Sequence, residues 1–334
     1  MNKKFYFLLA ALCCAVTIHA TDDVVPGKFT INADGDQVQF ARGNLQAIGT
    51  GDPSSWTWRF AENQWDYAGK ENNRNNILLK PNSAGFPGAV YDLFGWSTDQ
   101  TYYGLNLSTS NSDYSGEFVD WGNLMGEGWR TLTYDEWDYI LRKRENALDL
   151  RGIGRVYDGV SEYINGLILL PDGADKKTLG FTSNATNWSD NSLSPDSKVM
   201  KAGAVFLPAA GIRGLYYTQS GDLVGIDVIQ VSNTCYYWAS TPYGEENASA
   251  LYVTQGHLKV NKFEDRWCGY SVRLVRAAPI ETAIEDVKSS SLQGGERPVD
   301  GRIEKDRGRL VILNGQIFIQ RGEKIYTLQG QEVQ

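Results

Sequence analysis

The stretch that decides the fold is Trp129-Arg130-Thr131-Leu132-Thr133-Tyr134-Asp135-Glu136-Trp137-Asp138-Tyr139-Ile140-Leu141-Arg142. Thr133 and Glu136 have the spacing of a capping box, in which each side chain pairs with the backbone N–H of the other residue. Leu132 and Trp137 stand where a hydrophobic staple would close over the first turn. The pattern predicts a short amphipathic helix that begins after Thr133 and carries Trp137 into the core.

The rest of the chain is rich in glycine, tyrosine and tryptophan, and long helical periodicity is almost absent. Residues 27–40 alternate apolar and polar side chains around the turn residues 33–36, which predicts a β-hairpin. Residues 166–171 and 204–208 are continuous apolar runs that end in proline, as in strands buried on both faces. Strands are therefore expected to dominate the fold.

The N-terminus has the order of residues found in a cleaved secretory signal peptide. Two lysines precede an apolar run at residues 5–18 that is too short to span a bilayer. We expect cleavage after Ala20, so that residues 1–20 are the signal peptide; attachment of a lipid at Cys13 or Cys14 is the alternative. The sequence thus predicts an exported protein, secreted or associated with the cell envelope, with no transmembrane segment in the mature chain.

The charge balance of the chain is acidic. It has 32 basic and 40 acidic residues and a formal net charge of −8. Removal of residues 1–20 takes away two lysines and no acid, which leaves 30 basic residues and a net charge of about −10. Such a surface disfavours nucleic acid and anionic membranes, because both need Lys and Arg to replace counterions. The acid excess either favours a cationic or neutral ligand such as a glycan, or only keeps an exported protein soluble.

A change of composition follows Ala278. Residues 279–302 are rich in Glu, Ser, Gly and Asp and have few large apolar side chains, as in a linker. Residues 303–334 contain three alternating apolar runs separated by turn residues, and Asn314-Gly315 predicts a type I′ turn. We expect this tail to be a small, mobile β module, separate from a main domain over residues 28–278.

Several motifs of this main domain resemble those of known families. The helix-start stretch resembles the R-L-P-T-x-x-E-W-E-Y-A-x-R segment of the sulfatase-modifying-factor (formylglycine-generating-enzyme) family, whose fold is a variant of the C-type lectin fold. Other motifs resemble, in the same order, those of a group of exported bacterial proteins, the Fibrobacter major paralogous domain; they stand at residues 39–46, 58–67, 92–98, 169–173, 206–211, 237–242 and 269–276. The resemblance implies an α+β domain with a C-type-lectin-like fold.

The tail also carries a resemblance. Its Ile325-Tyr326-Thr327-Leu328 run, followed by Gly330 and Val333, resembles the I-Y-x-L-x-G-x-x-V core of the carboxy-terminal sorting domains of exported Bacteroidetes proteins. This resemblance implies a role of the tail in export or attachment.

The sequence does not predict catalysis. The oxygen-activating chemistry of formylglycine-generating enzymes requires a close cysteine pair, whereas Cys235 and Cys268 are 33 positions apart. After export His257 is the only histidine left, and a serine-hydrolase triad needs a positioned base; we expect His257 to be a polar strand or turn residue. Paired carboxylates for glycoside chemistry are the alternative, and the nominal candidates are Glu136, Asp138, Asp172 and Glu264.

Two cysteines remain once the predicted signal peptide is removed. One cysteine pair in an exported chain, Cys235 and Cys268, predicts a disulfide worth about 3–4 kcal/mol, with two buried free thiols as the alternative.

No metal site is predicted. Calcium is a possible cofactor but has no specific motif, since Trp238-Ala239-Ser240 stands where sugar-binding C-type lectins hold calcium with Trp-Asn-Asp.

Aromatic residues are the remaining functional resource, with ten Trp and eighteen Tyr in the chain. Trp96, Trp137 and Trp238 lie inside the family motifs and are assigned to the core. Aromatic residues in polar loops can stack on sugar rings or anchor a protein partner, or instead pack beneath the loops; these candidates are Trp56, Tyr102, Tyr103, Tyr114, Trp188, Tyr216 and Tyr217. Lectin-like folds display ligand sites near the strands that correspond to residues 236–241 and 250–253, which adds Tyr243 and Tyr252.

The sequence as a whole predicts an exported, non-catalytic, ligand-binding protein of the cell envelope whose partner is a glycan or a surface protein. The alternatives are a carbohydrate-active enzyme that uses paired carboxylates and a structural surface protein that binds its own copies.

Overall fold

The chain forms two compact units in the computed structural model, residues 1–280 and residues 281–334. The residues described are 23–51, 55–67, 87–105, 108–160, 162–217, 220–221, 223–279, 309–313, 316–321, 324–326 and 332–333. The predicted signal peptide and nearly all of the predicted linker lie outside them. In the described part, no helix is long and apolar enough to cross a membrane.

The helix predicted from the capping box is confirmed. Thr133 is the N-cap of helix α1 (Tyr134–Asp138). The Thr133 hydroxyl accepts a hydrogen bond from the Glu136 backbone N–H (3.2 Å), and a Glu136 carboxylate oxygen accepts one from the Thr133 N–H (2.8 Å). Trp137 is buried in the same hydrophobic cluster as Leu132. The local pattern therefore sets both the start of this helix and the face that it buries.

Replacement of Thr133 by alanine should lower the free energy of unfolding by about 1 kcal/mol, because it removes the side-chain partner of a helix-terminal N–H. Urea denaturation of the purified protein measures the change. Thr133→Ser, which keeps the capping hydroxyl, is the matched control and should retain most of the stability. Equal losses in the two variants would show that the threonine methyl group, rather than the cap, matters at this position.

Strands are the main elements of the first unit, which confirms the mixed, mostly β class. In chain order they are β1 (Phe29–Thr30), β2 (Gln37–Phe40), β3 (Leu45–Ile48), β4 (Thr57–Phe60), β5 (Val90–Tyr91), β6 (Arg151–Tyr157), β7 (Tyr163–Leu169), β8 (Ser192–Leu193), β9 (Val205–Pro208), β10 (Ile212–Tyr217), β11 (Leu223–Ile229), β12 (Cys235–Tyr243), β13 (Asn247–Thr254), β14 (His257–Asp265) and β15 (Val275–Ala277).

Among the described residues of this unit, the other helical segments are single turns. They are the 3₁₀ turns Asn111–Tyr114, Trp121–Leu124 and Trp188–Asp190, the π-helical turn Tyr139–Lys143 that continues α1, and the short helices α2 (Lys176–Leu179) and α3 (Lys198–Lys201). Much of the remaining described backbone of this unit is irregular and must satisfy its polar groups by other means.

The described strands of the first unit form five small sheets, with the orders β1-β2-β15, β4-β3-β5, β8-β6-β7-β9, β10-β11 and β12-β13-β14. The predicted hairpin is present, with Phe29 opposite Val38 and Gly35 in the left-handed region at φ 86°. The two predicted buried runs are strands β7 and β9, which pair antiparallel. These local predictions are confirmed.

The sheet β12-β13-β14 divides two hydrophobic clusters. Cys235, Tyr237 and Leu251 belong to the first cluster, together with Trp137 of α1. Trp238 belongs to the second, which also contains the predicted core residue Trp96. Since successive side chains of a strand point to opposite faces, β12 supplies both clusters at once.

The predicted disulfide between Cys235 and Cys268 is wrong, because both residues are free thiols. Cys235 lies in the first cluster, where its thiol donates to the Leu207 carbonyl (3.5 Å). Cys268 packs against the second cluster, as does Tyr270 two residues later. The strand alternation that separates the clusters therefore keeps the thiols apart. Burial raises the pKa of both thiols to about 12, so they stay protonated at neutral pH.

In the part of the chain that the structure describes, four buried arginines connect the irregular segments. Arg266 is 2% exposed and donates to four backbone carbonyls from two separate loops, those of Tyr114, Gly116, Gly244 and Asn247. The other three are Arg144, Arg213 and Arg273, which also donate to backbone carbonyls. These guanidinium groups supply hydrogen bonds that regular secondary structure would otherwise provide.

The described residues of the second unit form an antiparallel sheet of four strands in chain order. They are β16 (Arg309–Leu313), β17 (Gln316–Arg321), β18 (Lys324–Tyr326) and β19 (Glu332–Val333). The three predicted strands are present, and β19 adds a fourth. The predicted turn at Asn314-Gly315 lies outside the described residues.

Candidate functional site: an aromatic ladder on the β12-β13-β14 sheet

Three of the aromatic residues predicted to lie on the surface are buried, so the expectation of exposure is wrong for them. Tyr103 and Trp188 belong to the two hydrophobic clusters, and Tyr114 is 1% exposed with its hydroxyl donating to the Ser108 carbonyl (3.2 Å). Each lies in a loop or a 3₁₀ turn whose polar neighbours suggested exposure. The aromatic side chain packs inward beneath the loop in each case.

The other predicted residues differ in how much of the ring is accessible. Trp56 and Tyr102 are half-buried against the second cluster, and the Trp56 ring meets Tyr91 edge-on at 5.3 Å. The backbone of Tyr216 and Tyr217 forms the end of β10, and their side chains lie outside the described part of the structure. Tyr243 and Tyr252 remain the predicted residues with rings available at the surface of the β12-β13-β14 sheet.

Tyr252 is the outer member of a stack of aromatic rings that runs from the core to the surface. Trp238 and Tyr270, both buried, have ring centroids 4.4 Å apart. Tyr270 stacks on Tyr236 at 4.4 Å with an interplanar angle of 18°, and Tyr236 meets Tyr252 at 4.9 Å. We call these four residues the aromatic ladder. Its inner half is fixed in the core, so its outer rings are held in place before any ligand arrives.

The strand register explains why the ladder forms. Tyr236 of β12 lies directly opposite Tyr252 of β13, which in turn lies opposite Lys259 of β14. Directly opposed side chains share a face and are close enough to touch. Ser271 donates its N–H to the Tyr236 carbonyl (3.1 Å), which brings the neighbouring Tyr270 beside β12.

The outer end of the ladder is partly exposed and carries positive charge. The Lys259 ammonium lies 5.3 Å from the centre of the Tyr252 ring, and the His257 ring lies 6.4 Å from it. Within the described residues, the hydroxyl groups of Tyr236 and Tyr252 have no hydrogen-bond partner. Burial, followed by the nearby Glu264 carboxylate, raises the pKa of the Tyr236 phenol above its usual value, so this hydroxyl remains a donor.

A polar group flanks the ladder. The Glu264 carboxylate accepts hydrogen bonds from the Tyr270 hydroxyl (2.7 Å) and from the Asn261 side-chain amide (2.6 Å). Burial raises the pKa of Tyr270 well above its usual value, and the neighbouring Cys268 and Glu264 add to this effect. The site therefore combines half-exposed rings with hydroxyl, amide, carboxylate and ammonium groups. Such a combination can stack on a sugar ring and hydrogen-bond to its hydroxyls.

A second exposed aromatic pair lies at the far end of the same sheet. Tyr243 is 43% exposed and Phe263 is 67% exposed, and their rings meet edge-to-face at 4.3 Å. Tyr243 was predicted from the sequence, whereas Phe263 was not. Its position between the charged residues Lys262 and Glu264 on an edge strand is the sequence signal that marks it as exposed.

The four nominal catalytic carboxylates all have structural partners. Glu136 forms a two-pronged ion pair with Arg130 (2.7 and 2.8 Å) in addition to its capping bonds. Burial alone would raise the pKa of Glu136, but the hydrogen bonds from Arg130 and Thr133 lower it below its usual value. Partners of the other three are Arg142 and Lys143 for Asp138, Arg144 for Asp172, and Tyr270 for Glu264.

The remaining candidates are the histidine beside the ladder and the side chains that could bind a metal ion. His257 is exposed at the start of β14, with its ring Nδ1 3.3 Å from the Thr254 hydroxyl, as expected for a polar strand residue. Over the ranges that the structure describes, no group of three or more His, Cys, Asp or Glu side chains is placed to hold a metal ion.

Sequence reasoning missed most of the ladder. Of the four ladder residues, Tyr252 was predicted as a ligand-binding residue and Trp238 as a core residue, whereas Tyr236 and Tyr270 were not predicted as site residues. The flanking Lys259 and Asn261 were not predicted either. Alternation along Cys235–Tyr243 separates Tyr236 from Tyr237, but the partner of Tyr236 on a segment 34 residues later depends on tertiary pairing.

Comparisons were made with protein-family models, with curated proteins and with solved structures. None of the three finds a match to this chain.

Proposed function

We propose that this protein is an exported, non-catalytic binding protein of the cell envelope, with a C-type-lectin-like main domain and the aromatic ladder as its ligand site. Four features support the proposal: the signal-peptide pattern of residues 1–20, the family motifs across residues 28–278, the capping-box helix against a three-stranded sheet, and the sorting-like tail. The proposed ligand is a glycan or a surface protein.

The single observation that carries this proposal is the exposed end of the ladder. Tyr252 and Tyr236 present half-buried rings on a rigid stack, beside two hydroxyl groups that are free to donate. Sugar rings bind by placing their C–H faces on such aromatic surfaces while their hydroxyls bond to polar neighbours. Asn261 and Glu264 stand next to the stack and supply those neighbours.

A glycan array probed with the mature protein, with and without calcium, tests this function. We expect saturable binding to a restricted set of glycans, and Tyr252→Ala should weaken it by about tenfold or more because central aromatic residues carry most binding energy. Tyr157→Ala is the matched control: Tyr157 is also a partly exposed strand tyrosine, but its ring packs at a tilt against Tyr163 in another sheet. It should leave binding unchanged.

Two results would contradict the proposal. Turnover of a bound glycan would identify a carbohydrate-active enzyme instead of a binding protein. Equal binding by the wild-type protein and Tyr252→Ala, with both folded as judged by circular dichroism, would remove the ladder from the site.

A further inference from the structure

A cleft of about 420 Å³ lies in the first unit, and its floor is built around Asp172. Its walls come from the β1–β2 turn, the π-helical turn after α1, the turn at Glu145 and Asn146, and the Asp172-Gly173 turn. A volume of this size is in the range of small-molecule sites. None of the ladder residues lines it.

The floor of this cleft is held rigid from below. One Asp172 carboxylate oxygen accepts hydrogen bonds from the Thr30 N–H (2.7 Å), the Thr30 hydroxyl (2.7 Å) and the Gln37 amide (2.9 Å). The other accepts from the buried Arg144 guanidinium (2.9 Å), which also donates to the Leu170 carbonyl (2.8 Å). A ligand would therefore meet a preorganised surface and lose little free energy in ordering it.

The rim, in contrast, has unused hydrogen-bonding groups. The Tyr139 side chain is half-buried and lines the cleft, and its hydroxyl has no partner among the described residues. The same holds within that part of the chain for the Glu145 carboxylate, the Asn146 amide and the Gln37 side-chain carbonyl. The cleft thus offers more acceptors than donors, next to one aromatic side chain.

The charges define the class of ligand. Arg144 neutralises Asp172, whereas Glu145 stands at the rim without an ion-pair partner in the described structure. An anion in the cleft would meet this uncompensated carboxylate, while the Tyr139 hydroxyl and the Asn146 amide would replace only part of its hydration. A ligand with many hydroxyl donors fits best, and a protonated amine would gain from Glu145.

We infer that this cleft is a second binding site, separate from the ladder, for a small hydroxyl-rich ligand without negative charge, such as a hexose or hexosamine unit. Tyr139 supplies the aromatic wall, Glu145 selects against anions, and the Asp172–Arg144 pair fixes the floor.

Saturation-transfer NMR titrations with methyl glucoside, glucosamine and glucuronate test the site in the mature protein. Glucosamine and methyl glucoside should bind saturably, and glucuronate should bind at least about tenfold more weakly. Tyr139→Ala should weaken both bound sugars about tenfold, while Glu145→Gln should reduce the preference for glucosamine over glucuronate. Tyr157→Ala is the control and should change nothing.

Several results would overturn the inference. They are the absence of saturable binding of either non-anionic sugar, equal binding of glucuronate, and unchanged binding in a folded Tyr139→Ala protein. Tyr252→Ala separates the two sites: loss of glucosamine binding in this variant would assign the sugar to the ladder, whereas unchanged binding supports the cleft even if the ladder binds no glycan.

Discussion

Replacement of Arg273 by methionine should lower the free energy of unfolding by about 4 kcal/mol, because several buried acceptors lose their donor at a cost of about 1–3 kcal/mol each. Arg273 is 1% exposed, and its guanidinium donates to the Asn44 side chain (2.9 Å) and to the carbonyls of Ala41 (3.2 Å), Gln64 (3.1 Å) and Phe206 (3.0 Å). These acceptors come from three separate parts of the chain.

The control residue for Arg273 lies in the same segment, residues 269–276. Arg276, three residues later, is partly exposed and lies over the Trp129 ring at 5.5 Å. Arg276→Met removes an equal charge but leaves no buried acceptor without a donor, and should cost less than about 1 kcal/mol. Urea denaturation of both variants measures the difference. Equal losses would mean that the hydrogen bonds of Arg273 contribute little beyond its charge.

The features that sequence reasoning predicted correctly are those whose causes are local. The α1 start depends on Thr133 and Glu136, three residues apart, and the β1–β2 hairpin depends on alternation around one turn. The apolar runs that became β7 and β9 needed only their own composition. In each case the interaction that stabilises the element joins residues close in the chain.

The errors arise where residues distant in the chain decide the outcome. The disulfide failed because the face on which Cys268 lies is set by how its segment pairs beside β12, which spacing does not reveal. Trp188 sits in a polar loop, and its burial follows from packing against the first cluster. Arg273 has a usable signal, since a charged residue between Val272 and Leu274 in an apolar run indicates a buried cation that needs partners.

The two candidate sites also show this contrast between local causes, which the sequence reveals, and long-range causes, which it does not. Tyr252 was predicted because the resemblance to lectin-like folds implied a ligand-bearing region at residues 250–253. The stack beneath it joins Trp238, Tyr236 and Tyr270, and the cleft joins the turns near Asn32 and Glu145 to Asp172. Both sites need three or more segments to meet, so single-sequence patterns can indicate their members but not their assembly.

Replacement of Asp172 by alanine should lower the free energy of unfolding by about 3 kcal/mol, because it leaves the Arg144 charge buried without its partner. The Arg144 side chain is fully buried and that of Asp172 is 24% exposed, so we place the loss at the lower end of the usual range. Burial lowers the pKa of Arg144, and Asp172 opposes this effect. Asp149→Ala, which breaks an exposed ion pair with Lys176, should cost less than about 1 kcal/mol.

A double-mutant cycle then tests whether the buried charge itself is the cause. In Asp172→Ala combined with Arg144→Met, no unpaired guanidinium remains, so the double variant should be about 2 kcal/mol more stable than the sum of the two single losses predicts. Additive losses would show instead that Asp172 acts mainly through Thr30 and Gln37, which it holds in the β1–β2 hairpin. In that case the cleft floor would depend on the hairpin contacts, and Arg144 would act through its bonds to the Ile140 and Leu170 carbonyls.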